Sequence, residues 1–495
     1  MGFLSPPVRP RPRGRAWRED PFGRVVMMVG TAILGLLLGI QYWNPNKRVI
    51  PVVGAILILG VAWRLSLVAA MSVIVFLLPY PKGTVFGSTN LALIMIVFVI
   101  WLLRTSLRMN APARSSPLDL PVLGITLWYI LSFYNIKDTF ALERAVQNFE
   151  LYLACVVLFY LLVNTIRTPR DLERLHEAQL VTALCVFLVA FWEAHNAGKV
   201  LIPGLLDFSN TVGHDFNTRD IRVGSSFRDY ELLSEYCGIT VLLASFLFMR
   251  AKSQTRRTIL GIYGLFNLYT MFTTVTRGVI VALIGALPYL FYRIRRRLNP
   301  VKLMTTVSAI LALAFAMNFF VAKFTNTGDM FERLMGTKVV HGFVPEAREG
   351  AWTNALKRSL VHPILGQGPY YGEIPGYEQW WPHNVYLFIA NIIGFPGLGF
   401  YLMFLFGLWK ILLPVVDDLR HDSYADSYLL IARTQMIVFL LNEFKIDFLR
   451  NPVYQFQVWL LFGTWCAGYL VARDYGVRSG AYGEPITPPE RRMAA

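Results

Sequence analysis

Charge is scarce in this chain. Of 495 residues, 16% are Asp, Glu, Lys or Arg, while 55% are hydrophobic and 14% aromatic. An ordinary soluble domain carries about 25% charged residues, so a soluble fold of this composition is excluded. Nucleotide motifs are absent too. No GxxxxGK[ST], no GxGxxG following a strand and no GxSxG occurs, which argues against a nucleotide-driven enzyme. Only four cysteines are present, Cys155, Cys185, Cys237 and Cys466. All lie in or beside apolar stretches without metal-ligand spacing, and they read as small packing residues. His176, His195, His214, His341, His362 and His421 show no i, i+4 pairing with a carboxylate, so they read as surface groups and no metal is expected. No internal repeat is visible.

What the chain has is apolar runs from end to end, of a length that crosses a bilayer as a helix. They lack the alternation of barrel strands, and backbone groups in lipid must be satisfied internally. The fold expected is all-α, a polytopic transmembrane helical bundle of 12–14 spans with one large external loop containing short helices. The spans fall near 25–41, 49–63, 65–79, 90–104, 119–135, 145–166, 178–194, 232–249, 258–275, 278–292, 303–320, 385–412, 427–446 and 452–472. The organisation read from them is a basic cytoplasmic tail over 1–23, transmembrane helices over 24–320 and a large external loop over 321–382. C-terminal transmembrane helices over 383–473 and a cytoplasmic tail over 474–495 complete it.

The net charge of +16 is arranged by topology. Six arginines precede the first apolar run in "VRPRPRGRAWREDPFGR", and "RIRRR" at 293–297 is one of several later clusters. From a cytoplasmic N-terminus, these clusters fall on one side of the membrane, as the positive-inside rule requires. No nucleic-acid motif accompanies the charge, so no nucleic-acid partner is expected. The first run lacks a small-residue cleavage pattern and is expected to stay in the membrane.

Cations that break this pattern are more informative. Arg277 sits in "MFTTVTRGVIVALIG", between two spans and near the external face. Two readings fit it: a guanidinium that clamps an anion such as a phosphate, or a snorkelling side chain that caps a helix end. Arg219, Arg222 and Arg228 stand in the first external segment, and Arg333, Lys338, Arg348, Lys357 and Arg358 in the second. Arg348 opens an expected helix, "VPEAREGAWTNALKRSLVHP", in which Trp352, Ala355, Leu356 and Leu360 share a face. As a set around one vestibule, these cations suit a polyanionic or diphosphate-bearing ligand. The stretch "ILGQGPYYGEIPGYEQWWP" that follows reads as a lid or groove wall.

"QWWPHNVYLFIANIIGFPGLGFYL" places His383 and Asn384 where water gives way to hydrocarbon. A histidine in the first turn of a helix is favoured neutral, as a general base must be. It is equally an interfacial cap in an aromatic belt with Trp380 and Trp381. The glycines that follow would allow close helix approach, and Pro396 a bend.

Four segments together resemble the O-antigen ligase and O-antigen polymerase superfamily, which includes bacterial protein O-oligosaccharyltransferases. They are "HNVYLFIANIIGFPG", "TRG" at 276–278, "REGAWTNALKRSLVHPILGQGP" at 348–369 and "RVGSSFRDYELLSEY" at 222–236. In the last of them, Tyr230-Glu231 stands where the family often has Pro-Asn. The likeness spans about 200 to 412 and implies a metal-independent, inverting glycosyltransferase without cofactor. Such an enzyme moves or polymerises a polyprenyl-diphosphate-linked glycan donor onto a glycan or lipid acceptor. It serves surface polysaccharide synthesis (O-antigen, lipopolysaccharide or exopolysaccharide) on the external face of a bacterial inner membrane, with a polysaccharide assembly complex as a further partner. By the same resemblance His383 is catalytic, and Arg277, Arg348, Arg222 and Asn384 bind substrate. A flippase or exporter of lipid-linked glycans, a protein O-oligosaccharyltransferase and a structural scaffold are the alternatives.

Overall fold

The computed structural model describes residues 60, 63–80, 83–84, 87–196, 222–295, 299–325, 327–336, 339–340, 344–372, 376 and 381–476. The expected span 25–41, nearly all of 49–63 and the basic head lie outside these residues. So do most of the C-terminal tail and His214, Arg219, Lys338, His341 and Trp380. The chain divides into two compact units, Met1–Leu67 and Val68–Ala495, and all that follows concerns the second.

That unit is an all-α helical bundle. Its helices are α1 (Leu67–Leu77), α2 (Thr89–Ser106), α3 (Asp119–Ser132), α4 (Thr139–Thr165), α5 (Pro169–His195), α6 (Tyr230–Arg250) and α7 (Gln254–Thr273). There follow α8 (Arg277–Ile294), α9 (Pro300–Phe324), α10 (Met330–Met335), α11 (Glu346–Ser359), α12 (Val385–Ile411), α13 (Tyr424–Glu443) and α14 (Pro452–Tyr475). The only strands among the described residues are two-residue antiparallel ladders, Gly83–Thr84 with Gly87–Ser88 and Val339–Val340 with Val344–Pro345. By length and composition, seven helices among the described residues are apolar enough to cross a membrane: α2, α4, α5, α6, α8, the Val307–Phe324 part of α9, and α12. The expected 12–14 spans also counted shorter or more polar helices, such as α1 with 11 residues and α3 with 14.

Helix starts follow from local chemistry. A side-chain oxygen accepts the first orphan backbone N–H groups at Asp138, Thr168, Asp229, Ser253, Asn299, Asn384, Ser423 and Asn451. Proline occupies the first turn of α5, α9 and α14, where its missing N–H costs nothing. Helices α6, α13 and α14 are buried on nearly every side and form the centre. Phe439, Phe462 and Trp465 pack there edge to face and tilted. By contrast α9 exposes Met304, Leu311, Phe315 and Phe319, the apolar outer face expected of a helix against lipid.

Helix α12 is broken. Ile393 (φ −126°, ψ 15°) and Gly394 (φ 71°, ψ 177°) leave helical geometry just before Pro396. The loop after α11 docks into the gap: Phe395 N donates to Pro363 O (2.8 Å), Gln367 N to Asn391 O (2.8 Å) and Gly368 N to Ile392 O (3.1 Å). A Cβ on Gly394 would lie 2.2 Å from Ile364 O, whereas one on Gly399 would meet nothing within 4 Å. The glycine that matters therefore receives a loop rather than a neighbouring helix. The segment "ILGQG" is a docked wall, pinned also by Trp128 Nε1 to Ile364 O (3.0 Å) and Asn135 Nδ2 to Gly366 O (2.6 Å).

The loop helix differs from expectation as well. Helix α11 buries Ala355, Arg358 and Ser359, while Leu356 and Leu360 are exposed. Asn391 decides this, because its Nδ2 donates to Ala355 O (2.9 Å) and Ser359 Oγ (2.8 Å), fixing α11 against α12.

Candidate active site

His383 stands one residue before the cap of α12 rather than inside its first turn. Its φ of 46° is left-handed, a strained conformation for a side chain-bearing residue. Asn384 is the cap itself. Its Oδ1 accepts from Leu387 N (3.0 Å) and its Nδ2 donates to Phe444 O (3.2 Å), so both polar ends are used within the protein. The imidazole remains about one-third open, at 37% exposure.

Around this ring the structure gathers charge from four parts of the chain. Glu231, in the first turn of α6, accepts from Arg348 Nη2 on Oε1 (2.5 Å) and from Arg450 Nη2 on Oε2 (2.8 Å). Arg450 Nη2 also reaches Asp229 (2.7 Å), and its Nη1 lies 2.5 Å from His383 Nδ1. Glu231 Oε2 is 3.7 Å from the same ring nitrogen. Arg348 further donates to His383 O (3.3 Å) and to Lys445 O. Arg277, the first residue of α8, donates from Nη1 to Arg333 O (3.1 Å) and feels the charges of Arg333, Arg348 and Glu231. Arg348, His383 and Arg277 thus share one neighbourhood.

Arg222 has a different setting. It donates to Thr274 O (3.3 Å), Val275 O (3.4 Å) and Thr276 Oγ1 (3.2 Å), and its guanidinium stacks 3.2 Å from the Tyr230 ring centroid. Burial pushes it down from its usual range, while Tyr230, Glu231 and Asp229 pull the other way. A guanidinium stays charged in this setting. Arg222 ties the entry of α6 to the α7–α8 turn and so places Glu231.

The electrostatics follow from crowding. Burial, with Arg277 and Arg348 beside it, pushes Lys445 down. Although burial pulls Arg450 down, Asp229 and Glu231 outweigh it and leave it above its usual range. Burial raises Asp229 more than Arg450 lowers it, and it pushes Asp447 up to about 7 despite hydrogen bonds from Leu449 N (2.9 Å) and Trp381 Nε1 (3.1 Å). Cations outnumber ionised carboxylates here, the condition under which a further anion is attracted. Among the described residues, no three His, Cys, Asp or Glu side chains form a group that could hold a metal ion.

An apolar groove of about 610 Å³ opens beside the cluster, between α12 and α13, walled by Leu398, Leu402, Phe406, Trp409, Met436 and Leu440. Trp352, Asn384 and Phe444 also line it. Each is bound in sequence to a residue of the charged cluster. Trp352 lies one helical turn from Arg348 on α11, Asn384 follows His383, and Phe444 precedes Lys445. One side of the site is cationic and the other is apolar.

Asp229, Lys445 and Arg450 are site residues that motif reasoning passes over, and Glu231 enters it only as a departure from a pattern. The signal available was "NEFKIDFLRNP", four charged groups at the turn between two apolar helices, where orientation alone demands none.

Comparison with known proteins adds one match. Residues 260–402 fit the family model described as O-antigen ligase. No curated protein matches the chain.

Proposed function

Because residues 260–402 of this membrane protein match the family model described as O-antigen ligase, we propose a glycosyltransferase of surface polysaccharide synthesis that uses a polyprenyl-diphosphate-linked glycan. The observation that carries this reading is a cationic cluster adjoining an apolar groove through Trp352, Asn384 and Phe444. That pairing suits an amphiphile with an anionic head and a hydrocarbon tail. Arg277 and Arg348, with Lys445, hold the diphosphate and stabilise charge on the leaving oxygen as the anomeric bond breaks. The groove takes the prenyl chain, and the wall of residues 363–369 keeps α12 and α11 in register around it. His383 accepts the proton of the attacking hydroxyl of a glycan or lipid acceptor. One displacement inverts the anomeric centre, and no step calls for a metal or cofactor. The site faces the periplasm or exterior of a bacterial inner membrane, with both termini cytoplasmic.

Purified protein in liposomes, supplied with lipid-linked glycan and acceptor, tests this. A new glycosidic bond with one free polyprenyl diphosphate per bond is expected. Translocation of the donor without bond formation would instead support a flippase. One observation favours that second reading: Glu235 on α6 and Glu443 on α13 are both fully buried and lie side by side, and paired acids inside a bundle are common in proton-coupled transport. Glu235→Gln that abolishes translocation while transfer is absent throughout would establish it.

A further inference from the structure

The hydrogen bonds at His383 contain a contradiction with a ready-made base. A guanidinium has donors and no lone pair. Arg450 Nη1, 2.5 Å from His383 Nδ1, therefore donates to that nitrogen, which must be the acceptor. The neutral ring then carries its proton on Nε2, and its outward edge offers an N–H rather than a lone pair. In this state His383 can hydrogen-bond an anion or a hydroxyl oxygen, but it cannot take a proton through Nε2.

The alternative arrangement lies within reach. If Nδ1 carried the proton, Glu231 Oε2 at 3.7 Å would be its acceptor, and Nε2 would become a base oriented by a carboxylate. Two arginines oppose that. Glu231 gives Oε1 to Arg348 and Oε2 to Arg450, so each oxygen already serves a guanidinium and Arg450 is drawn against the ring, in the place an Nδ1 proton would need. Asp229 supplies Arg450 with a second anchor at 2.7 Å. Arg450 itself sits on a firm turn, with Gln455 Nε2 donating to Leu449 O (2.7 Å) and Asn451 Nδ2 to Phe227 O (2.5 Å). The charged groups around the ring are thus Asp229 and Glu231 at the start of α6, Arg348 of α11, and Lys445 and Arg450 in the α13–α14 turn.

We propose that Glu231 and Arg450 are positioning residues that keep His383 in its hydrogen-donating tautomer until a diphosphate arrives. Glu231 acts as a stand-in anion, pairing with the arginines that a diphosphate would engage. A diphosphate draws Arg348 and Arg450 toward itself, frees Glu231 Oε2, and lets it accept the Nδ1 proton. The imidazole exchanges tautomer through solvent with no net change in charge. During transfer the acceptor O–H proton moves to Nε2, the new C–O bond forms, and the electron pair of the broken anomeric bond leaves on the phosphate oxygen. The resulting imidazolium lies against Glu231. The base is armed only when a donor is bound. This proposal rests on the transferase reading above.

Nitrogen-15 spectra of histidine in the full chain, in lipid nanodiscs, read the tautomer directly, with His383→Gln assigning the signal. The probe is polyprenyl diphosphate without a glycan. Nδ1 unprotonated in the free protein and protonated with the probe is the expected result; the same tautomer in both states overturns the proposal. In turnover, Glu231→Gln should lower kcat by about 100-fold with donor KM unchanged or smaller, and Glu231→Asp should recover part of the loss. A rise in KM matching the fall in kcat would show Glu231 to be only a scaffold for the arginines, and would equally overturn it. Should Glu231→Gln fail to fold, the free and probe-bound spectra of the unaltered protein still decide. The spectra need no turnover, so a wild-type protein that forms no glycosidic bond would refute the transferase reading alone.

Discussion

Asp447 shows what burial does to a single group at this site. Its carboxyl is pushed up to about 7, so folding favours its protonated form. Below the unfolded value of about 3.9 it is neutral in both states and has no effect. As pH rises toward about 7, the unfolded chain gains from an ionisation that the folded protein resists, and stability falls. The melting temperature of the purified protein should therefore drop between about pH 4 and pH 7, and Asp447→Asn should flatten that drop. An unchanged slope in the variant would place the titration elsewhere. At this scale the sequence was legible where a residue type was out of place. Arg277, Arg348 and His383 each break a membrane pattern and all meet in one neighbourhood. The pairing of Glu231 with Arg450 was illegible for the opposite reason. A carboxylate and an arginine at the rims of two helices look like ordinary solvated ends until 219 residues of separation are closed by a 2.8 Å ion pair.

Among elements, α12 carries the main lesson. Hydropathy marks 385–412 as one span, and the chain does form Val385–Ile411 there, but with non-helical geometry at Ile393 and Gly394. The glycine spacing was visible; its reason was not, because the loop that fills the gap arrives from 363–369 and nothing local announces it. Gly394→Ala adds a Cβ at a left-handed φ and against Ile364 O, so it should destabilise by about 2 kcal/mol or more. Gly399→Ala, at a position with open space, should be neutral or slightly stabilising, since alanine is the better helix former. Melting temperatures of the two variants beside wild type check the pair. Equal losses would mean that the break does not depend on that glycine. Helix α11 teaches the same point from the other side: its apolar face at 352, 355, 356 and 360 was read from periodicity, yet Asn391 turns Arg358 and Ser359 inward instead.

The Val68–Ala495 unit is a bundle whose polar centre lies where the entry of α6, the start of α12 and the α13–α14 turn converge beside α11. The helical architecture was readable because lipid leaves a chain few options. The groove was not, since it is a space between α12 and α13 and belongs to no motif. Leu402 lines it and is 46% exposed, so Leu402→Trp narrows it without overpacking the core. Donor KM should rise about tenfold, the cost of losing roughly one well-packed apolar contact. A short-chain donor analogue should be unaffected. An equal effect on both donors would detach the groove from the prenyl chain.

The most direct test compares donor binding with bond formation in His383→Ala, reconstituted in liposomes and shown to be correctly inserted. If the arginines grip the lipid diphosphate while the imidazole activates the acceptor, the variant should bind lipid-linked glycan as wild type does and form glycosidic bonds at least about 100-fold more slowly. Full transfer by the alanine variant would contradict the account.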